Sequence, residues 1–448
     1  MAYVIGGIFY LPVLLYAMVF QRKNRRGWRE RFGGPRPARN VMRGMDALKR
    51  GRNVWVHAVS LGEINAARGI ITALRERVGA GFVVVSTTTD TGYARAVELF
   101  GPERVFRFPL DFGATVRRTL YRLEPSLIVL MELEVWYNLV TMAAADGIPV
   151  CVVNGRLTER SCRRFGWIAP VARRMFGALA WVGAQDEATA DRFVSVGVPR
   201  DRVTVTGSVK WDTAAIAERI AGQEALAGAL GLSQDAPLWV CGSTGPGEET
   251  LLLETFARIV ATHPGLQLVL VPRKPERFDE VADLIRKGGY ACIRRSQHPD
   301  GASPAKASAG TPRVVLGDTM GELRKFYALA DVVFVGRSLV PMGGSDPMEV
   351  AALGKPIVTG PHMENFRQPV AALSAADALV QTQASGLADV IERWLTDPSA
   401  ARSAGEAGRA TVRANQGATE RTLARLVAML DLDEPESGAP TPNVHSES

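Results

Sequence analysis

Three segments in the first half of the chain set acidic and basic side chains where they could handle a proton or an anion. His57-Ala58-Val59-Ser60-Leu61-Gly62-Glu63 follows a short β-branched run and ends on a carboxylate. At a strand-to-helix turn Glu63 would stay ionised in the field of the helix start, and could take a proton from an attacking hydroxyl. The same Ser60-x-x-Glu63 spacing is that of a capping box, in which both side chains only close a helix. Met131-Glu132-Leu133-Glu134-Val135-Trp136-Tyr137-Asn138 puts two carboxylates two residues apart beyond another apolar run. They are either site groups or solvated loop residues. Gly207-Ser208-Val209-Lys210-Trp211-Asp212 adds a lysine, which is a site cation or an ordinary surface charge.

The second half carries anion-binding features instead. Cys241-Gly242-Ser243-Thr244-Gly245-Pro246-Gly247-Glu248-Glu249 is a Gly-rich turn into a helix, whose free amides suit an anion. It lacks the Lys-Ser/Thr ending of a P-loop, so ATP hydrolysis is not supported. Leu270 to Arg277 (LVPRKPER) places Arg273 and Arg277 on a strand-end loop, suited to phosphate or carboxylate. Gly343-Gly344-Ser345-Asp346-Pro347-Met348-Glu349 opens a further helix, with Glu349 able to hold the paired hydroxyls of a ribose.

These segments must be held by elements, and the pattern of the chain says which. From residue 53 onward, runs such as Val54–Val56, Phe82–Val85, Leu127–Leu130, Val150–Val153 and Trp181–Gly183 alternate with helical stretches such as Ala66–Val78 and Tyr93–Phe100. That alternation predicts a doubly wound, Rossmann-like sheet. It weakens over 209–236 and resumes with Leu238–Cys241, Gln267–Val271, Arg313–Leu316, Val332–Val335 and Pro356–Val358. The expected organisation is a membrane anchor at 1–22, a first Rossmann-like domain at 23–208, and a linker at 209–236. A second Rossmann-like domain follows at 237–430, then a disordered tail at 431–448. Residues 296–312, rich in Pro, Ala, Ser and Gly, read as a surface loop. The expected fold class is therefore α/β, with two Rossmann-like domains and a ligand cleft between them.

A length of 448 residues with 47% hydrophobic content excludes a disordered or fibrous chain. Cys151, Cys162, Cys241 and Cys292 show no Cys-x-x-Cys spacing and no histidine cluster, so neither a disulfide framework nor a zinc site is expected. The net charge of +7 is local: residues 21–52 hold twelve Lys/Arg against Glu30 and Asp46, and the rest of the chain is slightly acidic. A nucleic-acid binder would spread its basic charge over a folded face. Here it adjoins residues 1–20 (MAYVIGGIFYLPVLLYAMVF), which hold no charged side chain and as a helix would extend about 30 Å, the thickness of a bilayer core. Arg22, Lys23, Arg25, Arg26, Trp28, Arg29 and Arg31 then predict a cytoplasmic body by the positive-inside rule. The anchor could span or, kinked at Pro12, enter one leaflet; a buried helix of the first domain is the other reading.

Six segments together resemble the 3-deoxy-D-manno-oct-2-ulosonic acid (Kdo) transferases of lipopolysaccharide synthesis. They are SLGE at 60–63, MELEVWYN at 131–138, VTGSVKWD at 205–212, LVPRKPERF at 270–278, GDTMGEL at 317–323 and ALGKPIVTGPHMENF at 352–366. The resemblance implies a GT-B glycosyltransferase fold, inverting transfer from CMP-Kdo to the lipid A precursor at the inner face of the cytoplasmic membrane, and no metal or other cofactor. It implies that Glu63 is the general base and that Glu132 and Lys210 stabilise the transition state. Cytidylate contacts are implied for Pro272 and Arg273, for Gly321, Glu322 and Leu323, and for Asp346, Pro347, Met348 and Glu349. Arg156, Arg160, Arg163 and Arg164 could receive lipid A phosphates, or form a plain basic helix face.

The chain departs from the family pattern at Ser345 and Asp346, where His-Asn is usual, and at Gly245 to Gly247, where a histidine and a carboxylate are lost. Lys274 replaces a histidine and Tyr137 a proline. The alternatives are transfer of a related ulosonic acid, a GT-B-fold sugar-nucleotide epimerase, or a tethered sugar-nucleotide binding protein with a lapsed site.

Overall fold

The computed structural model describes residues 27–34, 53–300 and 312–430. The expected anchor at 1–22 and tail at 431–448 lie outside the described residues, as do residues 301–311 of the expected surface loop. No helix among the described residues is long and apolar enough to cross a membrane.

The chain divides into two compact units, Met1–Thr213 with Gln416–Ser448, and Ala214–Asn415. The first is built on seven strands: β1 (Val54–His57), β2 (Val83–Thr87), β3 (Val105–Arg107), β4 (Leu127–Met131), β5 (Val150–Gly155), β6 (Trp181–Ala184) and β7 (Val203–Val205). They run in the order β3-β2-β1-β4-β5-β6-β7, and every pairing is parallel. Parallel strands need helical crossovers, which cover both faces and explain the unbroken apolar runs. Val54 and Val56 pack on one face with Ile64, Ile70 and Leu74, while Trp55 packs on the other with Phe106 and Ile128. From β1 the chain winds to β2 and β3 on one side, then crosses to β4 on the other. The topological switch point, where such sheets keep their ligands, thus lies beyond the ends of β1 and β4.

The second unit repeats the plan with β8 (Leu238–Thr244), β9 (Gln267–Pro272), β10 (Ala291–Arg294), β11 (Arg313–Leu316), β12 (Val332–Val335), β13 (Ile357–Thr359) and β14 (Leu379–Gln381). Their order is β10-β11-β9-β8-β12-β13-β14, again all parallel, so the switch point falls between β8 and β12.

The domain boundaries differ from those expected. Residues 209–213 close the first unit, and the alanine-rich stretch expected to be linker contains the helix Gln223–Leu230, with Leu226 and Leu230 in the core of the second. The helix Ala418–Met429, expected in the second domain, belongs to the first unit. There Leu426 and Val427 join Ile64 and Ile70 in one core, and Asp212 caps the helix by accepting from Gly417 N–H at 2.7 Å and Thr419 N–H at 2.6 Å. Helical periodicity marks an apolar face without saying which sheet will cover it.

Candidate active site

Parallel register places Val54–His57 beside Leu127–Leu130. The turns leaving β1 and β4 therefore emerge together at the switch point of the first unit, one carrying Glu63 and the other Glu132 and Glu134. Glu63 sits in the first turn of the helix Leu61–Val78, and half of the expected capping box is formed: its N–H donates to Ser60 Oγ at 3.3 Å, while its carboxylate reaches the N–H of Val59 rather than that of Ser60. In return Glu63 Oε1 accepts from Ser60 Oγ–H at 3.0 Å and Oε2 from Val59 N–H at 2.9 Å. Each oxygen keeps lone pairs for a further proton, so capping orients the carboxylate without using it up. Burial raises the Glu63 pKa, the Val59 N–H opposes the rise, and Glu132 adds to it.

Glu132 has a backbone φ of 55°, in the left-handed region that non-glycine residues rarely occupy. Strain of this kind gathers at functional sites. Its N–H is held by Val153 O at 3.0 Å, and its carboxylate lies 3.7 Å from Lys210 Nζ. The structure thus gathers Glu63, Glu132 and Lys210 at one strand edge.

Two further residues of this edge had no assigned role. Glu134 accepts from Trp136 Nε1–H at 3.2 Å, and burial together with the nearby Glu63 pushes its pKa up to about 7. His57, the last residue of β1, is completely buried and stacks on Phe108 at a centroid distance of 3.8 Å. Burial pushes its pKa down to about 3, so the ring is neutral. In sequence Glu134 was visible as half of a carboxylate pair, whereas a histidine ending an apolar run gives no signal of its neighbours.

In the second unit a cavity of about 290 Å³ opens where β8 and β9 end. Pro272, Arg273, Gly321, Leu323 and Glu349, all expected cytidylate contacts, line it with Ser243, Met320 and Arg324. Burial raises the Glu349 pKa, and Arg324 and Arg273 oppose that rise. A larger hollow of about 540 Å³, lined by Pro237, Asp331 and Pro356, lies at the opposite, amino ends of β8, β12 and β13. Ligands of doubly wound sheets bind at carboxyl ends, so the smaller cavity is the candidate.

The other expected contacts lie outside this lining. Glu322 binds Arg295 through both oxygens, at 2.8 and 2.9 Å, and accepts from Thr319 Oγ1 at 2.5 Å. Asp346 Oδ1 accepts from Met348 N–H at 2.8 Å, while Pro347 and Met348 are buried. The Gly-rich turn after β8, expected to offer free amides, is filled by its own carboxylate: Glu248 accepts from the N–H groups of Gly245, Arg337, Ser338 and Leu339 at 2.5 to 2.8 Å. Arg277 is likewise committed, pairing with buried Glu249 at 2.6 Å and with Glu280 at 3.0 Å. Arg273 remains exposed at the cavity. Arg324 was absent from the motifs and Ser243 was present only as part of the Gly-rich turn, because their role depends on where β8 ends and the helix Leu323–Leu329 begins. Arg156, Arg160, Arg163 and Arg164 are all exposed, the last three on the helix Glu159–Gly166, which has no buried residue.

A family model described as 3-Deoxy-D-manno-octulosonic-acid transferase (kdotransferase) matches residues 26–213. The 3-deoxy-D-manno-octulosonic acid transferase of Bordetella pertussis is 37% identical over 385 residues, covering 83% of this chain and 86% of its own. The chain belongs to this family. The Kdo transferase of Haemophilus influenzae is 33% identical over 384 residues, 85% of this chain and 88% of its own. Among solved structures, the UDP-GlcNAc 2-epimerase from Neisseria meningitidis bound to UDP-GlcNAc covers 84% of this chain and 100% of its own. Its TM-score is 0.54 and its sequence identity 14%, a likeness of fold alone. Family membership makes the chain a glycosyltransferase that moves Kdo, and sets the epimerase and lapsed-site readings aside.

Proposed function

We propose that this Kdo transferase, of GT-B type, moves Kdo from CMP-Kdo to a lipid A precursor, lipid IVA, with inversion and with Glu63 as the base. The observation that carries the reading is the placement of Glu63 at the switch point of the first sheet, oriented by Val59 and Ser60 and flanked by the Glu132–Lys210 pair. An acceptor hydroxyl oxygen bonds to the anomeric carbon of Kdo as its proton passes to Glu63. The bond from that carbon to the phosphate oxygen breaks, and cytidylate leaves with the bonding pair. Negative charge grows on the departing phosphate, where Arg273 would stabilise it more in the transition state than before it. Lys210 would hold the Kdo carboxylate. No metal or cofactor enters this scheme beyond CMP-Kdo as co-substrate.

An acceptor whose acyl chains stay in a bilayer explains an anchor at 1–22, with the catalytic body at the cytoplasmic face of the inner membrane. Arg156, Arg160, Arg163 and Arg164 would meet its phosphates. Support comes from their exposure and from Trp167 beside them, 85% exposed. Full-length protein in membranes, given CMP-Kdo and a tetraacyl disaccharide acceptor, should release cytidylate and yield a lipid heavier by Kdo residues in mass spectrometry. Glu63→Gln should remain folded by circular dichroism and lose at least about 10²-fold in kcat. Near-normal turnover by that variant would remove the base assignment.

A further inference from the structure

Glu134 and His57 take no part in the reaction as written, yet their hydrogen-bonding capacity is the least used at this edge. His57 Nδ1 lies 3.1 Å from Ser86 O and 2.9 Å from Ser86 Oγ. Its Nε2 is buried, has no hydrogen-bond partner, and lies 4.0 Å from Glu134 Oε2. A carbonyl oxygen can only accept, so Nδ1 carrying the hydrogen toward Ser86 O leaves a lone pair on Nε2 aimed at Glu134. Leaving that lone pair unmatched inside the protein is costly.

Charge counting leads to the same carboxyl. Glu63, Glu132 and Glu134 gather here, and Lys210 is the cation paired with the group among the described residues. Three carboxylates around one ammonium resist joint ionisation, so one of them keeps its proton. Glu63 has two donors and Glu132 has the lysine, whereas Glu134 has the Trp136 indole N–H.

We propose that Glu134 is a positioning residue, protonated in the resting enzyme with its O–H directed at His57 Nε2, which leaves Glu63 ionised to act as the base. The inference rests on the reading of Glu63 given above. A side-chain rotation that shortens the 4.0 Å separation by about 1 Å makes the hydrogen bond. The pKa directions agree: His57 is held neutral, able to accept, and Glu134 is held up. The charged groups around Glu134 are Glu63 on the helix Leu61–Val78, Glu132 on its own turn and Lys210 after β7. Asp111 is committed to the N–H groups of Asn138 and Leu139, and Arg107 to Asp90 and the Tyr93 ring. When Glu134 ionises, the third negative charge repels an anionic donor and turnover falls.

The test is the pH profile of kcat for Kdo transfer, measured for the wild type, Glu134→Gln and Glu63→Gln. Wild-type activity should fall about tenfold per pH unit above a limb near pH 7. Glu134→Gln keeps the side-chain shape and an N–H for His57, and should lose that alkaline limb while keeping the acid one. A Glu134→Gln profile that superimposes on the wild type overturns the proposal. Turnover by Glu63→Gln would instead overturn the base reading, whatever Glu134 does, so the two failures are distinguishable. If Glu134→Gln does not fold, infrared difference spectra of the wild type between about pH 6 and about pH 9 decide. Loss of a protonated-carboxyl C=O band supports the assignment, and its absence overturns it.

Discussion

Two glutamates of this chain are perturbed in opposite directions, and each perturbation is a statement about folding. Burial raises Glu134, whereas bonds from Arg295, with Thr319 and Lys325, lower Glu322 to about 2. A carboxyl depressed in the folded state contributes stability that is complete above its unfolded value, near 4.5, and is lost as the pH falls toward 2. Glu322→Gln should therefore be less stable than the wild type in urea at neutral pH, and the gap should close across that acid window. An unchanged gap at about pH 2.5 would mean that Glu322 is not ion-paired as drawn. Motif spacing brought Glu63, Glu132 and Lys210 forward as candidates beside a plain structural reading of each, and the family resemblance chose between the two. Their mutual distances were not legible, because they depend on the parallel register of β1 against β4 and on the φ of Glu132.

At the scale of elements, the runs read as strands all recur in the two sheets, and the strands missed are instructive. Val105–Arg107, Val203–Val205, Ala291–Arg294 and Leu379–Gln381 are the four sheet edges. An edge strand packs fewer neighbours, so three or four residues suffice and leave no long apolar run to read; three of these four also have partly exposed positions, Val105–Arg107 being buried throughout. The Gly-rich turn after β8 was legible as a place where backbone amides converge. That Glu248 fills it was hidden, because its partners come from the loops after β8 and β12, about ninety residues apart in sequence. Glu248 joins the two loops at the switch point, so Glu248→Ala should strand four N–H donors and lower the stability of the chain by about 3 to 5 kcal/mol in urea melts. A loss below about 1 kcal/mol would show that water satisfies these groups equally well.

At the scale of the whole chain, the excess positive charge lies in residues 21–52 and the remaining sequence is slightly acidic. The two-unit plan was readable from the alternation of strand and helix. The return of Gln416 and the following helix to the first unit was not, since it depends on Asp212 and on the face of the helix that bears the candidate base. Leu426 is fully buried against that helix. Leu426→Ala should cost about 2 to 5 kcal/mol, and limited proteolysis should then cut within Leu61–Val78 sooner than in the wild type. Unaltered protection there would detach the C-terminal helix from the stability of the first unit.

This chain order also bears on biosynthesis. A ribosome delivers the N-terminal sheet first, yet the helix Ala418–Met429 that seals one of its faces emerges only after all of Ala214–Asn415. Nascent domains usually finish in the order in which they are made. Here the earlier one must wait, its apolar surface uncovered on the growing polypeptide, so the half bearing Glu63 acquires this wall only once the second unit has been made.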